Sequence, residues 1–356
     1  MDKEKKKKII KSEVKGLIKV VCFIIIFMLI LNALSTTLFS REFGSKYKNV
    51  YRMAYEYVDE KENSVDVVVI GDSNTYSSFC PMVLWRDYGY TSTVIASPRQ
   101  SPNLSYSAFL EFLKKQNPKI LILETDALYL RYVGDAKIIE KEEFLNQLNL
   151  DNSNIISNTP QDLLTKKVVS KYPVFETHDS WKKARHNLSK KKSGYDDGIM
   201  HHGYLHRPEV VKVSGKGHME YSDKYELMNQ IDIKNIKRFK KVCDEKGIKL
   251  VFYNAPATAA WTYPRHNGVQ ELANSLGVEY YDFNILDDYN LDYSKDFGDK
   301  GRHQNYNGAK KITQYLGNVI KQEVGKELID KRNQPEFDYV EENANKFFED
   351  VGDNKK

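Results

Sequence analysis

Apolar positions along the chain first form one unbroken block. Residues 17–39, LIKVVCFIIIFMLILNALSTTLF, carry Lys19 as their one charge, and at a 1.5 Å rise per residue such a run spans a hydrocarbon core as a helix. Beyond residue 62 the pattern changes to short apolar runs alternating with helical spacing. Residues 65–70, 91–96, 119–124, 249–254 and 278–283 predict strands, rich in β-branched and aromatic residues and suited to a buried parallel sheet. Between them, Leu104, Ala108, Phe109, Phe112 and Leu113 recur at helical spacing up to Asn117-Pro118. Helices are also predicted over 225–246, stopped by Gly247, over 267–276, stopped by Gly277, and over 306–325. Strands alternating with helices predict an α/β fold, a flavodoxin-like doubly wound parallel sheet of about five strands whose ligands bind at the strands' carboxyl ends.

The same pattern divides the chain. Residues 1–16 form a basic arm, 17–39 a transmembrane anchor, and 40–62 a linker with helical character from 47. Residues 63–330 form the α/β domain, and 331–356 a charged tail read as a peripheral helix that frays. Residues 130–220 are polar, rich in Lys and His, and weakly periodic. They read as a long insertion above the sheet edge, a lid or an acceptor-binding subdomain.

Charge orients the anchor. The net charge of +5 rests on Lys3, Lys5, Lys6, Lys7, Lys8, Lys11, Lys15 and Lys19, opposed there by Asp2, Glu4 and Glu13. An excess of lysine before the apolar block puts the N-terminus in the cytoplasm and everything after about residue 40 outside, as a single-pass protein of the cell membrane. A cleaved signal peptide fits less well, because the block is long and Ala33-Leu34-Ser35 is a poor cleavage site. The nearly neutral remainder offers no basic face for nucleic acid. Cys22, Cys80 and Cys243 supply neither a disulfide framework nor metal-ligand spacing. His201, His202, His206 and His218 lack an acidic partner at helical spacing, and Gly203 and Pro208 argue against a helix there. They read as a solvated loop, and no metal or cofactor is expected. The 24 tyrosines suit contacts with a glycopolymer.

The candidate chemistry sits at two strand ends. Gly71-Asp72-Ser73-Asn74 follows the first strand, where Gly71 allows a close turn, Ser73 reaches the substrate edge, and the next helix offers N–H groups to an oxyanion. Asp299-Lys300-Gly301-Arg302-His303-Gln304-Asn305 precedes the last long helix, where His303 can take the Ser73 proton while an acid fixes its orientation. Either segment alone also reads as ordinary helix capping. Together they predict a nucleophile and its base.

These residues, with Gly308 and Ala309, form G-D-S followed by D-x-x-x-H-x-N-x-x-G-A, which resembles the SGNH/GDSL hydrolase superfamily. With the N-terminal anchor, residues 77–85 and residues 97–101, the chain is similar to that superfamily's membrane-anchored bacterial members. Those include the D-alanine transfer protein of teichoic acid modification and polysaccharide O-acetyltransferases that partner a multipass membrane acyltransferase. The resemblance implies an SGNH-type fold, Ser73 as nucleophile, His303 as base and an Asp as third member. It also implies O-acyl chemistry on a cell-surface glycopolymer, outside the membrane and without a cofactor. The usual acid position, three before the histidine, holds Lys300; of Asp299 and Asp296, Asp299 is chosen. The superfamily's other two oxyanion donors have no clear match, so Asn74 and Gln100 stand as substrate-binding candidates. Without those donors, a non-catalytic anchored scaffold that binds a membrane acyltransferase or a glycopolymer is the alternative reading.

Overall fold

The computed structural model describes residues 3–36, 53, 54, 56–129, 137–149 and 201–353. The chain divides into two units, with helix α1 (Lys3–Thr36) in one and every other described element in the other. Within α1, Lys11–Ser35 is long and apolar enough to cross a membrane.

The second unit is built on a parallel sheet. Its strands are β1 (Val67–Gly71), β2 (Ser92–Ala96), β3 (Ile120–Glu124), β6 (Lys249–Asn254) and β7 (Glu279–Asp282), in the order β2-β1-β3-β6-β7. Strand β1 pairs parallel with both β2 and β3, Ile70 lying beside Ile95 and Leu123. Every residue of β1, β2 and β3 is buried, as expected of strands covered on both faces. The connections part on either side of β1, which makes the carboxyl ends of β1 and β3 the switch point where such sheets bind ligands.

Helices α2 (Ser73–Ser78), α3 (Pro81–Tyr88) and α8 (Tyr306–Val324) pack together, as do α4 (Pro102–Phe112), α6 (Gln230–Lys246) and α7 (Tyr263–Leu276). Their ends follow local rules. Asn229 caps α6 by accepting from the Ile231 N–H at 2.8 Å, and Gly247 closes it in the left-handed region at φ 67. Helix α7 starts four residues earlier than the apolar pattern suggests, with Pro264 inside its first turn. The short helices α2 and α3 carry too little periodicity to be read in advance.

Two parts of the chain differ from expectation. The C-terminal segment docks: α9 (Asp338–Asp350) packs on α3 and buries Val340, Ala344, Phe347 and Phe348. The Asp353 carboxylate beyond it accepts from the Tyr306 hydroxyl and Lys310 ammonium, both at 2.6 Å, and from Arg86 at 3.1 Å. Charged residues between these apolar positions hide a helical stripe.

The end of the insertion is likewise part of the body. Residues 201–206 cover the free edge of β2, where the Val94 N–H donates to the His202 carbonyl at 2.8 Å. Gly203 has φ +85, and a Cβ there would lie 2.0 Å from the Val94 carbonyl oxygen. His201 and His202 are therefore buried; the His202 Nδ1 meets the Glu60 carboxylate. Earlier in the insertion, β4 (Ile138–Ile139) pairs antiparallel with β5 (Tyr225–Glu226), and α5 (Lys141–Asn149) follows β4. Most of the linker, and residues 130–136 and 150–200, on which the lid reading falls, lie outside the described residues. Cys80 and Cys243 are unbridged and buried in separate apolar clusters.

Phe347 is 1% exposed and meets the rings of Tyr204, Tyr306, His201 and His206. Phe347→Ala should therefore lower unfolding stability by about 3–5 kcal/mol, measured as a shift in urea midpoint; a frayed tail would give no shift.

Candidate active site

Strand β1 ends at a point of close backbone approach. A Cβ on Gly71 would lie 2.1 Å from Thr75 Oγ1 and 2.6 Å from Glu124 Cβ, so only glycine lets α2 turn directly off the strand beside β3. Asp72 caps α2, its Oδ1 accepting from the Asn74 N–H at 2.9 Å. Ser73, the first residue of α2, is half-buried at the switch point.

The candidate base, His303, comes from the loop before α8. The Asn305 side chain accepts from the Asn307 and Gly308 N–H groups and caps that helix. Its amide donates to the carbonyls of Lys295, Phe297 and Glu209. Gly308 fits beneath, since a Cβ there would lie 2.4 Å from the Asp296 carbonyl oxygen. Phe297 and Gln304 form a β-bridge, and the Gly298 N–H donates to the His303 carbonyl at 3.0 Å. The loop is thus closed on itself before the imidazole makes any contact.

Three side chains then meet. His303 Nε2 lies 2.9 Å from Ser73 Oγ, and His303 Nδ1 lies 2.5 Å from Asp299 Oδ2. Asp299 Oδ1 also accepts from the backbone N–H groups of Arg302 and His303, at 2.8 and 2.9 Å. Partial burial works to raise the Asp299 pKa, but the His303 ring, these amides and the imidazole's charge outweigh it and hold the carboxyl at about 2. An ionised Asp299 fixes the proton on Nδ1 and leaves the Nε2 lone pair for the Ser73 hydroxyl.

Asp296, the other acid open in the sequence, is committed elsewhere. Its carboxylate accepts from the Asp292 N–H at 2.6 Å and from Lys311 at 2.7 Å. Gln100 does not join the site as an oxyanion donor. Buried after β2, its amide donates to the Ile95 carbonyl and to Ser105 Oγ, and its carbonyl accepts from Ser97 Oγ. Asn74 is buried beside Ser73, with its backbone N–H spent on Asp72. The Ser73 backbone N–H has no acceptor among the described residues.

Two further groups escaped the sequence reading. Residues 205–213 strap the two halves of the site together. The Leu205 N–H donates to the Tyr76 carbonyl, Arg207 Nε to Ser77 Oγ, the Tyr306 N–H to the Arg207 carbonyl, and the Val211 N–H to the Phe297 carbonyl. At the strand ends, Asp72, Glu124 and Asp126 are buried together. Burial, then repulsion from Asp126, pushes Asp72 up to about 8, and burial also raises Glu124 and Asp126. Position alone hinted at Asp126, which follows β3 much as Ser73 follows β1. Of the remaining histidines, His206 meets the rings of Tyr306 and Phe347 edge to face, and His218 Nε2 pairs with Asn284 Oδ1.

No family model and no curated protein matches the chain. Among solved structures it is similar, at 12% identity in each case, to a GDSL-like lipase from Bacteroides thetaiotaomicron, covering 80% of this chain and 100% of that one with a TM-score of 0.34. It is also similar to a G-D-S-L family protein from Desulfitobacterium hafniense, with 72% and 99% covered and a TM-score of 0.37. A candidate acylhydrolase from Bacteroides fragilis is covered completely, over 80% of this chain, with a TM-score of 0.35.

The two acids should separate in mutants. Asp299→Asn should lower kcat by about 10⁴-fold. Asp296→Asn should cost about 1–3 kcal/mol in a urea melt while kcat changes only a few-fold. Because the Asp299 pKa falls on folding, from 3.8 to about 2, its stabilising contribution is present above about pH 4 and lost as pH falls toward 2. Any acid limb of the rate above pH 3 should accordingly persist unshifted in Asp296→Asn, as a pH–rate profile would show.

Proposed function

We propose that this chain is a serine esterase or O-acyltransferase of the SGNH/GDSL type, working through an acyl-serine intermediate on Ser73. The observation that carries the reading is the continuous hydrogen-bonded series Ser73–His303–Asp299 at the switch point of the sheet. Lone capping residues would have no reason to align in this way. As Ser73 Oγ attacks an ester carbonyl, His303 Nε2 takes its proton, and Asp299 stabilises the imidazolium that forms. The carbon–oxygen bond to the leaving alcohol then breaks, and His303 returns the proton to that alcohol. In the second half, His303 deprotonates either water or an acceptor hydroxyl as its oxygen bonds to the acyl carbon, and the imidazolium then returns that proton to Ser73 Oγ as the bond from Ser73 to the acyl group breaks. The Ser73 backbone N–H, free of a protein acceptor among the described residues, can face the negative oxygen.

The substrate is read as an O-acyl group, acetyl or D-alanyl, on a cell-surface polysaccharide or teichoic acid. In this reading α1 anchors the chain in the cell membrane, the lysine-rich arm stays in the cytoplasm, and the catalytic unit lies outside. A multipass membrane O-acyltransferase would hand on the acyl group. Support for the anchor comes from the apolar span Lys11–Ser35 and the lysines before it.

The test uses the full chain in detergent with p-nitrophenyl acetate and a fluorophosphonate. Wild type should release nitrophenol and be labelled on Ser73. Ser73→Ala should lose labelling, and both Ser73→Ala and His303→Ala should lose at least about 10³-fold in rate. A wild-type chain inert to both reagents would overturn the catalytic reading and bring forward the anchored scaffold.

A further inference from the structure

Beside the loop that carries His303 lies an open cavity of about 760 Å³. Three segments build it. Lys212, Ser214 and His218 come from the end of the insertion, Thr258 from the loop after β6, and Lys300 from the His303 loop itself. Among the described residues, no carboxylate lines it.

Backbone contacts fasten these walls to the catalytic loop. The Val211 and Val213 N–H groups donate to the Phe297 and Tyr293 carbonyls at 2.8 and 2.9 Å, which secures the chain on either side of Lys212. Across the cavity, the Ala259 N–H donates to the Gly301 carbonyl at 3.1 Å. Gly301 has φ +86, and a Cβ there would lie 2.0 Å from Thr258 Oγ1, so only glycine lets the two loops meet. The His218 ring is held by Asn284 Oδ1 at 3.1 Å.

Charge then sets the cavity apart. Other lysines around the His303 loop are neutralised: Lys295 by Asp292, Lys311 by Asp296 and Lys310 by Asp353. Lys212 and Lys300 are exposed and have no carboxylate partner among the described residues. Two unpaired ammonium groups in one concave site favour an anion there, since the hollow concentrates their field. Ser214 adds a hydroxyl donor suited to a phosphate or carboxylate oxygen.

We propose that this cavity is the subsite for an anionic group, phosphate or carboxylate, of the polymer whose hydroxyl exchanges its acyl group with Ser73. The inference rests on the esterase or acyltransferase reading and names the substrate class at that site, an acidic polymer rather than a neutral one. Lys212 and Lys300 bind and orient the chain, and proton transfer stays with His303. One subsite serves both directions, because the alcohol that leaves when Ser73 is acylated is the acceptor when the step runs in reverse.

The experiment uses the full-length chain in detergent and acetylated oligomers of matched length built from glycerol phosphate, galacturonate or glucose. Acetate release gives kcat and KM for each. At least one charged oligomer should show a KM about tenfold below that of the neutral one, and the lower of the two charged values tells phosphate from carboxylate. Lys212→Gln combined with Lys300→Gln should erase most of that preference, whereas Lys212→Arg with Lys300→Arg should keep it. Lys241→Gln, on the exposed face of α6, should leave it as in wild type. The lysine-rich arm is common to every variant, so its own attraction for polyanions cancels, and fluorophosphonate labelling of Ser73 reports that each variant is folded. The proposal is overturned if the neutral oligomer matches the charged ones in KM, if neither charged oligomer is a substrate, or if the paired Gln variant keeps the preference. A wild-type chain that also fails to label overturns the esterase reading itself, which separates the two failures.

Discussion

The hydrogen bond from Ser73 Oγ to His303 Nε2 joins residues 230 positions apart, and most of the architecture around it serves to bring those two atoms within 3 Å. Neither side chain reaches across the gap on its own. The serine arrives because β1 is buried on both faces and must turn sharply off the sheet, which Gly71 permits. The histidine arrives because its loop is closed by Asn305, by the Phe297–Gln304 bridge and by the packing of Gly308 on the Asp296 carbonyl. The 205–213 strap then ties α2 to that loop through Tyr76, Ser77, Tyr306 and Phe297. Imidazole orientation is the last step, and Asp299 performs it with both carboxylate oxygens.

The polar ground beneath the serine is costly to build. Glu124 accepts from the Asp126 N–H and from the Asn254 amide, Asn254 accepts from Asn284, and Asn284 also donates to Asp282. Trp261 Nε1 and His266 Nδ1 end this chain on Asp282. The network crosses the carboxyl ends of β3, β6 and β7 and satisfies most of the buried groups there, as interior polar clusters require. Asp126 Oδ1 stands outside it.

Much of the fold was legible because burial on both faces leaves a plain mark. The strands are short β-branched runs, and the observed β1, β2, β3, β6 and β7 fall within two residues of the predicted bounds. What escaped was either short or disguised. Residues 225–226, taken into a helix from their spacing, pair instead with β4, because two residues carry no period to tell the two states apart. The α9 stripe was masked by the charges between its apolar residues. At the site, Ser73 and His303 stood out by residue type and strand-end position, while Asp299 was one of two acids that the resemblance left open. Gln100 misled because an amide's donor capacity says nothing of its direction, and three local partners consume it. Asp126 went unnoticed because a carboxyl in a sequence reads as exposed; only the fold buries it with Asp72 and Glu124.

In the proposed reading, whether the acyl group passes to water or to a hydroxyl is a question of competition at one atom. Both acceptors need His303 to remove their proton, and both attack the same carbonyl, so the triad does not distinguish them. Transfer wins only where the acceptor is held in place and water is kept out. The described part of the insertion contributes to the first condition in a limited way, since the backbone of residues 205–213 is spent on bracing the site from the side. Anchoring contributes more directly in the proposed reading. A catalytic unit tethered to the surface that also carries its donor and acceptor meets both at a raised effective concentration, with no added contact. Selection for transfer would then act on the placement of the acceptor, while the residues that make and break the acyl bond stay those of an esterase.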